Sequence, residues 1–352
     1  MKKIYLTGFA LMAIIASCSK SVSEPDSPAP QPPVEEDLVP VTFASAGISV
    51  ETKAAPKGLI EGTVMKSLDI GVYGVVTEEQ VPTGSLDAEA TFLPGLQNKS
   101  VTTGVDGSIT FSPKIYYPIV SDKTYSFYGY YPYSAGVVAA SNSITAEYDL
   151  GDTDILWDED HAEVYRKNKG FNAAYVREIS ALSEPVSERF KSDLKFQHVL
   201  TALEFKVTTE KEATLDNVKI KKVTLNNVAT KAKLYIISND SLKASGTVEQ
   251  SGVAGTLFLE SVEGVVPTNT GADMGTLMLL PGTSYEAEIL LTLDGVEQSP
   301  VKISLTTNAT DGQFKAGSKY TLKLKIKSPV EVTLETALTE WKAEEGGEFP
   351  IG

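Results

Sequence analysis

Cysteine is almost absent. One cysteine, Cys18, occurs in 352 residues, so no internal disulfide can form and stability must come from packing or from partners. Histidine is nearly as scarce, with only His161 and His198. No nucleophile elbow, phosphate loop, dinucleotide fingerprint or His-Glu-x-x-His run is present, so the usual apparatus of hydrolases, kinases, dehydrogenases and metalloproteases is missing and no cofactor is implied. Arginine appears only at 166, 177 and 189. After residue 16 no apolar run approaches the ~18 residues of a membrane span. Positive charge is in deficit: the net charge of −15 repels nucleic acid and anionic headgroups and favours solubility.

What is present begins at the N-terminus. Lys2 and Lys3 precede an apolar stretch from Ile4 to Ala16, and Ser17-Cys18 follows. Such a stretch spans about 20 Å as a helix, short of the ~30 Å hydrocarbon core. A positive start, a short apolar run and small residues before a cleavage point describe a secretory signal over residues 1–17. Small residues ending at a cysteine resemble the bacterial lipobox, and Cys18 falls where that motif places the lipidated residue. Several acyl chains (palmitate among them) on Cys18 would hold the chain on a membrane, because each buried CH₂ contributes roughly 0.8 kcal/mol and a single chain anchors only marginally. Residues 18–37 hold Pro25, Pro28, Pro30, Pro32 and Pro33 among serine and glutamate, a composition that reads as a tether.

From Val39 the pattern is β. Val39, Val41 and Phe43 alternate with polar or small residues, and Ile48 and Val50 resume the period of two. A loop, Glu51 to Gly58, follows. Strands are expected at Leu68–Val76, Tyr125–Tyr133 and Ser143–Leu150, and at Thr201–Thr208, Asn217–Leu225, Lys231–Ile237, Gly255–Leu259, Ser284–Leu293, Val301–Thr306, Lys319–Lys327 and Val330–Leu334. Asp294-Gly295 signals a hairpin. His161 to Leu182 lacks a clean helical period and reads as loop with a short helix. Many short strands separated by Gly, Pro and Asn turns point to an all-β chain of two sandwiches, residues 38–186 and 187–352.

Few constellations carry chemistry. Asp149, Asp152, Asp154, Asp158, Glu159 and Asp160 form an acidic run beside His161. Hard cations favour such oxygen clusters, which makes Asp152, Asp154 and Asp158 weak metal candidates; the spacing does not match an EF-hand, and a solvated inter-strand loop is the alternative. His198 sits in strand-like context and reads as structural. The aromatic run at Tyr125–Tyr133 could stack on sugars if exposed, but suits core packing. Asp240-Ser241-Leu242 resembles a bacterial O-glycosylation motif.

Taken together, the lipobox and tether, Val41-Thr42-Phe43, Glu51-Thr52-Lys53-Ala54, Tyr125-Ser126-Phe127-Tyr128-Gly129-Tyr130-Tyr131-Pro132, Asp154-Ile155-Leu156-Trp157, the segment Lys195 to Phe205, Phe314 to Leu322, and Trp341 resemble the fimbrillin (Mfa-like) family of Bacteroidales type V pilus subunits over most of residues 38–341. The resemblance implies two tandem transthyretin-like Greek-key β-sandwiches and a non-enzymatic pilin or cell-adhesion lipoprotein on the cell outer membrane or in a fimbrium. It further implies assembly with other pilin subunits by strand exchange: a protease cuts the loop after the first strand, here Val39–Val50, and the vacated groove accepts a strand from a neighbour. Lys53 and Lys57 are the residues after which the loop would be cut. The family typically has arginine there, so lysine suits a generic trypsin-like protease and not an arginine-specific one. Val330–Leu338 would be the donor strand, and Lys342 to Gly352 reads as a flexible end. A non-polymerising surface lipoprotein that binds glycan or another host or bacterial ligand is the alternative, and a lipid-anchored hydrolase using paired carboxylates a third reading.

Overall fold

The computed structural model describes residues 38–44, 46–48, 60, 64–76, 86–119, 122–160, 170–181, 191–209, 217–307, 311–328 and 331–339. The chain divides into two units, Met1–Asp37 and Leu38–Gly352, and the described residues all belong to the second. Among the described residues it is all-β apart from a helix at Ala173–Ala181 and a 3-10 turn at Glu89–Thr91. No helix among the described residues is long and apolar enough to cross a membrane.

The strands of the described residues form four sheets. The first runs Gly47–Ile48, Lys195–His198, Leu156–Asp160, Tyr125–Tyr131, Asp69–Val76 and Lys99–Thr102. The second runs Lys243–Ala244, Lys231–Asp240, Ser143–Asp149 and Val138–Ala140, with Val248–Gln250 also on Lys231–Asp240. These two share one buried cluster: Val72, Phe127, Tyr130 and Phe196 from the first with Ile144, Ala146, Leu234 and Ile236 from the second. The third sheet runs Ala272–Leu279, Thr201–Thr209, Ser318–Ser328 and Glu331–Thr339; the fourth runs Gly255–Val265, Val218–Val228, Tyr285–Leu293 and Val296–Glu297, with Val301–Leu305 also on Tyr285–Leu293. Their shared core includes Phe205, Leu322 and Leu324 opposite Val223, Leu225 and Ile289. Alternation is visible in Tyr285–Leu293, where Tyr285, Ala287, Ile289 and Leu291 turn inward, as a sheet with one wet face requires.

The two cores do not partition the strands at residue 187. Lys195–His198 pairs antiparallel with Leu156–Asp160, and Lys231–Asp240 pairs antiparallel with Ser143–Asp149. Asp294 and Gly295, at φ 51° and 80°, make the hairpin turn between Tyr285–Leu293 and Val296–Glu297; Val301–Leu305 then returns along the same strand. The short helix is capped by Asn172, whose Oδ1 accepts the Tyr175 N–H at 2.8 Å, and it buries Ala173, Tyr175 and Val176.

The acidic run departs from the loop reading. Leu156–Asp160 is a strand, paired with Tyr125–Tyr131 on one side and with His198 and Gln197 on the other. Ile155 and Leu156 are fully buried and set its depth, while backbone N–H groups satisfy Asp158 and Asp160. The aromatic run is core: Tyr125, Phe127, Tyr128 and Tyr130 are buried, and the Tyr130 hydroxyl donates to Asn98 Oδ1 at 2.6 Å. Desolvation pushes that phenol up to about 12.

Candidate functional site

The first described segment, Leu38 to Ile48, threads between two stretches of chain. On one side the Val41 N–H donates to Ile115 O at 2.9 Å and the Tyr117 N–H to Val39 O at 2.9 Å. On the other, Ala44 N–H donates to Ser192 O at 2.8 Å, Ser192 N–H to Thr42 O at 3.3 Å and Gly47 N–H to Leu194 O at 3.1 Å. Gly47–Ile48 then pairs in parallel with Lys195 and Phe196. Pairing before Gly47 is a series of isolated bridges and not a continuous ladder, and Pro40 supplies no N–H to either side. Alternation nonetheless holds: Val39, Val41 and Phe43 are buried and Pro40 is exposed.

Phe43 anchors the segment. Its ring stands edge-on to Phe111 at 5.8 Å and to Phe127 at 5.1 Å, and Phe127 continues to Tyr117 at 6.4 Å and Phe171 at 5.4 Å. Such pairs add about 0.5–1.5 kcal/mol each beyond area burial. Beside the segment lies a cleft of about 380 Å³ lined by Val41, Phe43, Ile109, Phe111 and Ile115, with Lys114 and Lys191 among its other walls.

The far wall of this groove rests on carboxylates. Asp158 Oδ2 accepts the Lys195 N–H at 2.6 Å and Asp160 Oδ2 accepts the Asp193 N–H at 2.7 Å, so two side chains of the acidic strand take backbone donors of residues 193–195. Burial raises the Asp158 carboxyl to about 7, against which the Lys195 and Glu159 N–H groups pull and to which Asp160 and Glu159 add. Asp154 goes elsewhere. Its Oδ2 lies 2.9 Å from His198 Nδ1 and accepts the Ile60 N–H at 3.1 Å, with both side chains fully buried. Asp152 is exposed, within reach of its neighbour Thr153. The three weak metal candidates thus have separate partners, and among the described residues no group of three His, Cys, Asp or Glu is placed to hold a metal ion. Sequence reading missed the tie between Asp154, His198 and Ile60, whose members lie up to 138 positions apart.

Cys18, the tether, Lys53, Lys57, His161 and the tail from 340 lie outside the described residues. The C-terminal strand Glu331–Thr339 is described: it edges the third sheet, antiparallel to Ser318–Ser328, with Val332 buried and Thr336 Oγ1 donating to Thr306 O at 2.8 Å.

Comparison with known proteins bears directly on this arrangement. The sequence matches the fimbrillin-like family over residues 52–341. The chain belongs to the fimbrillin-like family. Among solved structures, a cell-adhesion candidate from Bacteroides uniformis is similar at 17% identity and TM-score 0.51, covering 87% of this chain and 100% of that one. The fimbrial anchor protein Mfa2 of Porphyromonas gingivalis matches at 10% identity and TM-score 0.37 (87% of this chain, 98% of that), and the tip fimbrial protein Mfa3 of the same organism at 10% and 0.40 (86% and 98%). At these identities the likeness concerns fold. No functionally curated protein matches the sequence. Membership of this fimbrillin-like family supports a role as a pilus subunit or in cell adhesion, at the cell surface.

Proposed function

We propose that this fimbrillin-like protein is a lipid-anchored pilus or adhesion subunit that assembles by strand exchange at the groove now holding Leu38–Ile48. In this reading Cys18 carries the lipid that holds the precursor on the outer membrane, a trypsin-like protease cuts after Lys53 or Lys57, and a strand from a neighbouring subunit takes the vacated place. The strand of Glu331–Thr339 and the residues after it are the donor region. No chemical step beyond the protease's own cut is needed.

The observation that carries the proposal is the way the first segment is held. It buries Val39, Val41, Phe43 and Ala46, yet before Gly47 it is joined by isolated bridges and flanked on both sides by other chain. Removing it would expose an apolar slot and leave backbone groups of Ile115, Tyr117, Ser192 and Leu194 unpaired. Each buried unpaired group costs roughly 1–3 kcal/mol, and an added strand satisfies them in one step. The chain beyond the cut has its own tie to the core through the Ile60 N–H and Asp154.

Limited trypsin digestion of protein beginning at Ser19, N-terminal sequencing and unboiled denaturing gels test this. A cut at Lys53 or Lys57 followed by an oligomer ladder is expected. The same cut leaving only monomer refutes assembly by this route. A second reading, a non-polymerising lipoprotein that binds glycan, is favoured by a cleft of about 410 Å³ whose walls include Asn226, Asn227, Gln250, Ser284 and Glu286 beside apolar Val228, Leu279 and Pro281. Saturable binding of a neutral oligosaccharide, lost in Asn226→Ala/Glu286→Ala, would support that reading.

A further inference from the structure

The seating of the first segment fixes a register for whatever replaces it, an inference that rests on the strand-exchange reading above. Val39 and Val41 bond to Tyr117 and Ile115, and Pro40 lies opposite Tyr116 in an antiparallel bridge. One residue further, the same register sets Thr42 opposite Lys114. On the other wall Phe43 bridges Ser192 in parallel, which sets Thr42 beside Lys191. All three line the same cleft. Val39, Val41 and Phe43 face inward, while Pro40 is exposed and Thr42 half-buried.

The C-terminal strand carries the same pattern. Pro40-Val41-Thr42-Phe43 is matched by Glu331-Val332-Thr333-Leu334, and a valine precedes each, Val39 and Val330. Exposure follows suit: Glu331 is exposed, Val332 buried and Thr333 half-buried. At home this strand is an edge, laddered only to Ser318–Ser328, and Leu334 is no more than half-buried. In the slot it would have chain on both sides. Leu334 would take the place where Phe43 is buried, and Glu331 would supply the N–H that Pro40 lacks. A strand that gives up one neighbour and gains two, with more apolar surface covered, is driven toward the slot. Charge agrees, since Glu331 and Glu335 fall at the places of Pro40 and Ala44, diagonal to the row of Lys114 and Lys191.

We infer that the Glu331–Thr339 strand of a neighbouring subunit enters the slot in the direction of the resident segment and in a single register. Val332 takes the place of Val41, Thr333 lies between Lys114 and Lys191, and Leu334 takes the place of Phe43. The resident segment keeps the better side chain at that last place, because Phe43 closes a ring cluster with Phe111 and Phe127 that a leucine fills less completely. The entrant has the better backbone.

The test uses protein beginning at Ser19, which has no cysteine, with a site-specific protease sequence placed within Glu51–Lys57 and Phe43→Ala to loosen the resident segment. After cleavage, fluorescent peptides copying Val330–Thr339 are offered in excess and their incorporation is followed by anisotropy. The wild-type peptide is expected to enter. Leu334→Ala should bind at least about 10-fold more weakly, and Leu334→Phe several-fold more tightly, because it restores the ring contacts. Register is read by disulfide trapping with oxidised glutathione. Protein carrying Lys114→Cys should trap peptide Thr333→Cys, and protein carrying Tyr116→Cys should trap peptide Glu331→Cys, since facing residues of an antiparallel pair bring their side chains close. Trapping of Glu335→Cys by Tyr116→Cys, or trapping without preference among peptide positions, overturns the register while leaving strand exchange standing. Leu334→Ala binding as tightly as wild type does the same. Failure of every peptide to enter the cut protein overturns strand exchange itself, and the register with it.

Discussion

Asp158 gives the sharpest quantitative test of the groove wall. The carboxyl is 9% exposed and accepts the Lys195 N–H, one residue before Phe196 pairs with Ile48. Desolvation raises its pKa from 3.8 to about 7. A shift of about three units corresponds to roughly 4 kcal/mol at ~1.36 kcal/mol per unit, an upper bound that falls to about 2 kcal/mol if the interior responds as a medium of higher dielectric. The sign follows from linkage. Between about pH 4 and pH 7 the folded chain binds this proton and the unfolded chain does not, so stability declines as pH rises through that window. Below it the penalty is absent, and above it the penalty is complete. Asp158→Asn keeps an oxygen for the Lys195 N–H and removes the charge. The variant should match wild type near pH 4 and exceed it by about 2–4 kcal/mol at pH 8. Urea unfolding followed by tryptophan fluorescence at several pH values measures this, and the difference between the two proteins is the quantity to plot. Glu249, held low by its bonds from Lys243 and Tyr235, adds stability only as pH rises toward its ordinary 4.5 and equally in both proteins, so it cancels in the difference. A difference flat from pH 4 to pH 8 would refute the burial argument, as would an asparagine variant less stable at pH 8.

Three further outcomes follow from named contacts. Phe43→Ala should cost about 3–5 kcal/mol in docking of the first segment, read as a rise of at least 100-fold in hydrogen exchange at Val41, Ala44 and Tyr117, since the lost ring contacts Phe111 and Phe127. Gly246→Ala should destabilise by about 2–4 kcal/mol in thermal unfolding, because φ is +75° and an added Cβ would lie 2.3 Å from the Trp157 ring; Gly295→Ala, at φ +80° with open space, should cost only about 1 kcal/mol. Asp154→Ala should cost about 3–5 kcal/mol in urea unfolding, as it leaves His198 buried without its carboxylate and the Ile60 N–H without its acceptor.

The fold was legible wherever one sheet face is wet. Lys231–Asp240, Tyr285–Leu293 and Ser318–Ser328 announce themselves by alternation, and Asp294-Gly295 by its turn chemistry. Alternation says which face is inward but not which core receives it. Lys231–Asp240 and its neighbour Val248–Gln250 lie far along the chain yet pair with Ser143–Asp149, and nothing local distinguishes them from strands of the other core. The acidic strand was illegible for a different reason. A run of carboxylates reads as solvated because their usual partners are water or lysine; here the partners are backbone N–H groups of residues 193 and 195, visible only in three dimensions. Ala272–Leu279 was missed because a bulge between Asp273 and Gly275 breaks its period of two.

The carboxylates of that strand explain how the outer wall of the groove is held. A continuous backbone ladder between Leu156–Asp160 and residues 193–195 would fix the outer chain by its own hydrogen bonds alone; pairing stops at Trp157 and Gln197, and Asp158 and Asp160 take over as acceptors. The outer chain is therefore held from the inside without using the carbonyls of Ser192 and Leu194, which remain for Ala44 and Gly47. Beyond the expected cut, Ile60 is tied through Asp154 and His198 to the same pair of strands. The wall of residues 193–195 and the downstream chain at Ile60 thus have anchors that do not pass through Leu38–Ile48. Under the strand-exchange proposal this matters physically: a vacated site must wait as an ordered row of acceptors and donors, and a wall held by Asp158 and Asp160 meets part of that condition.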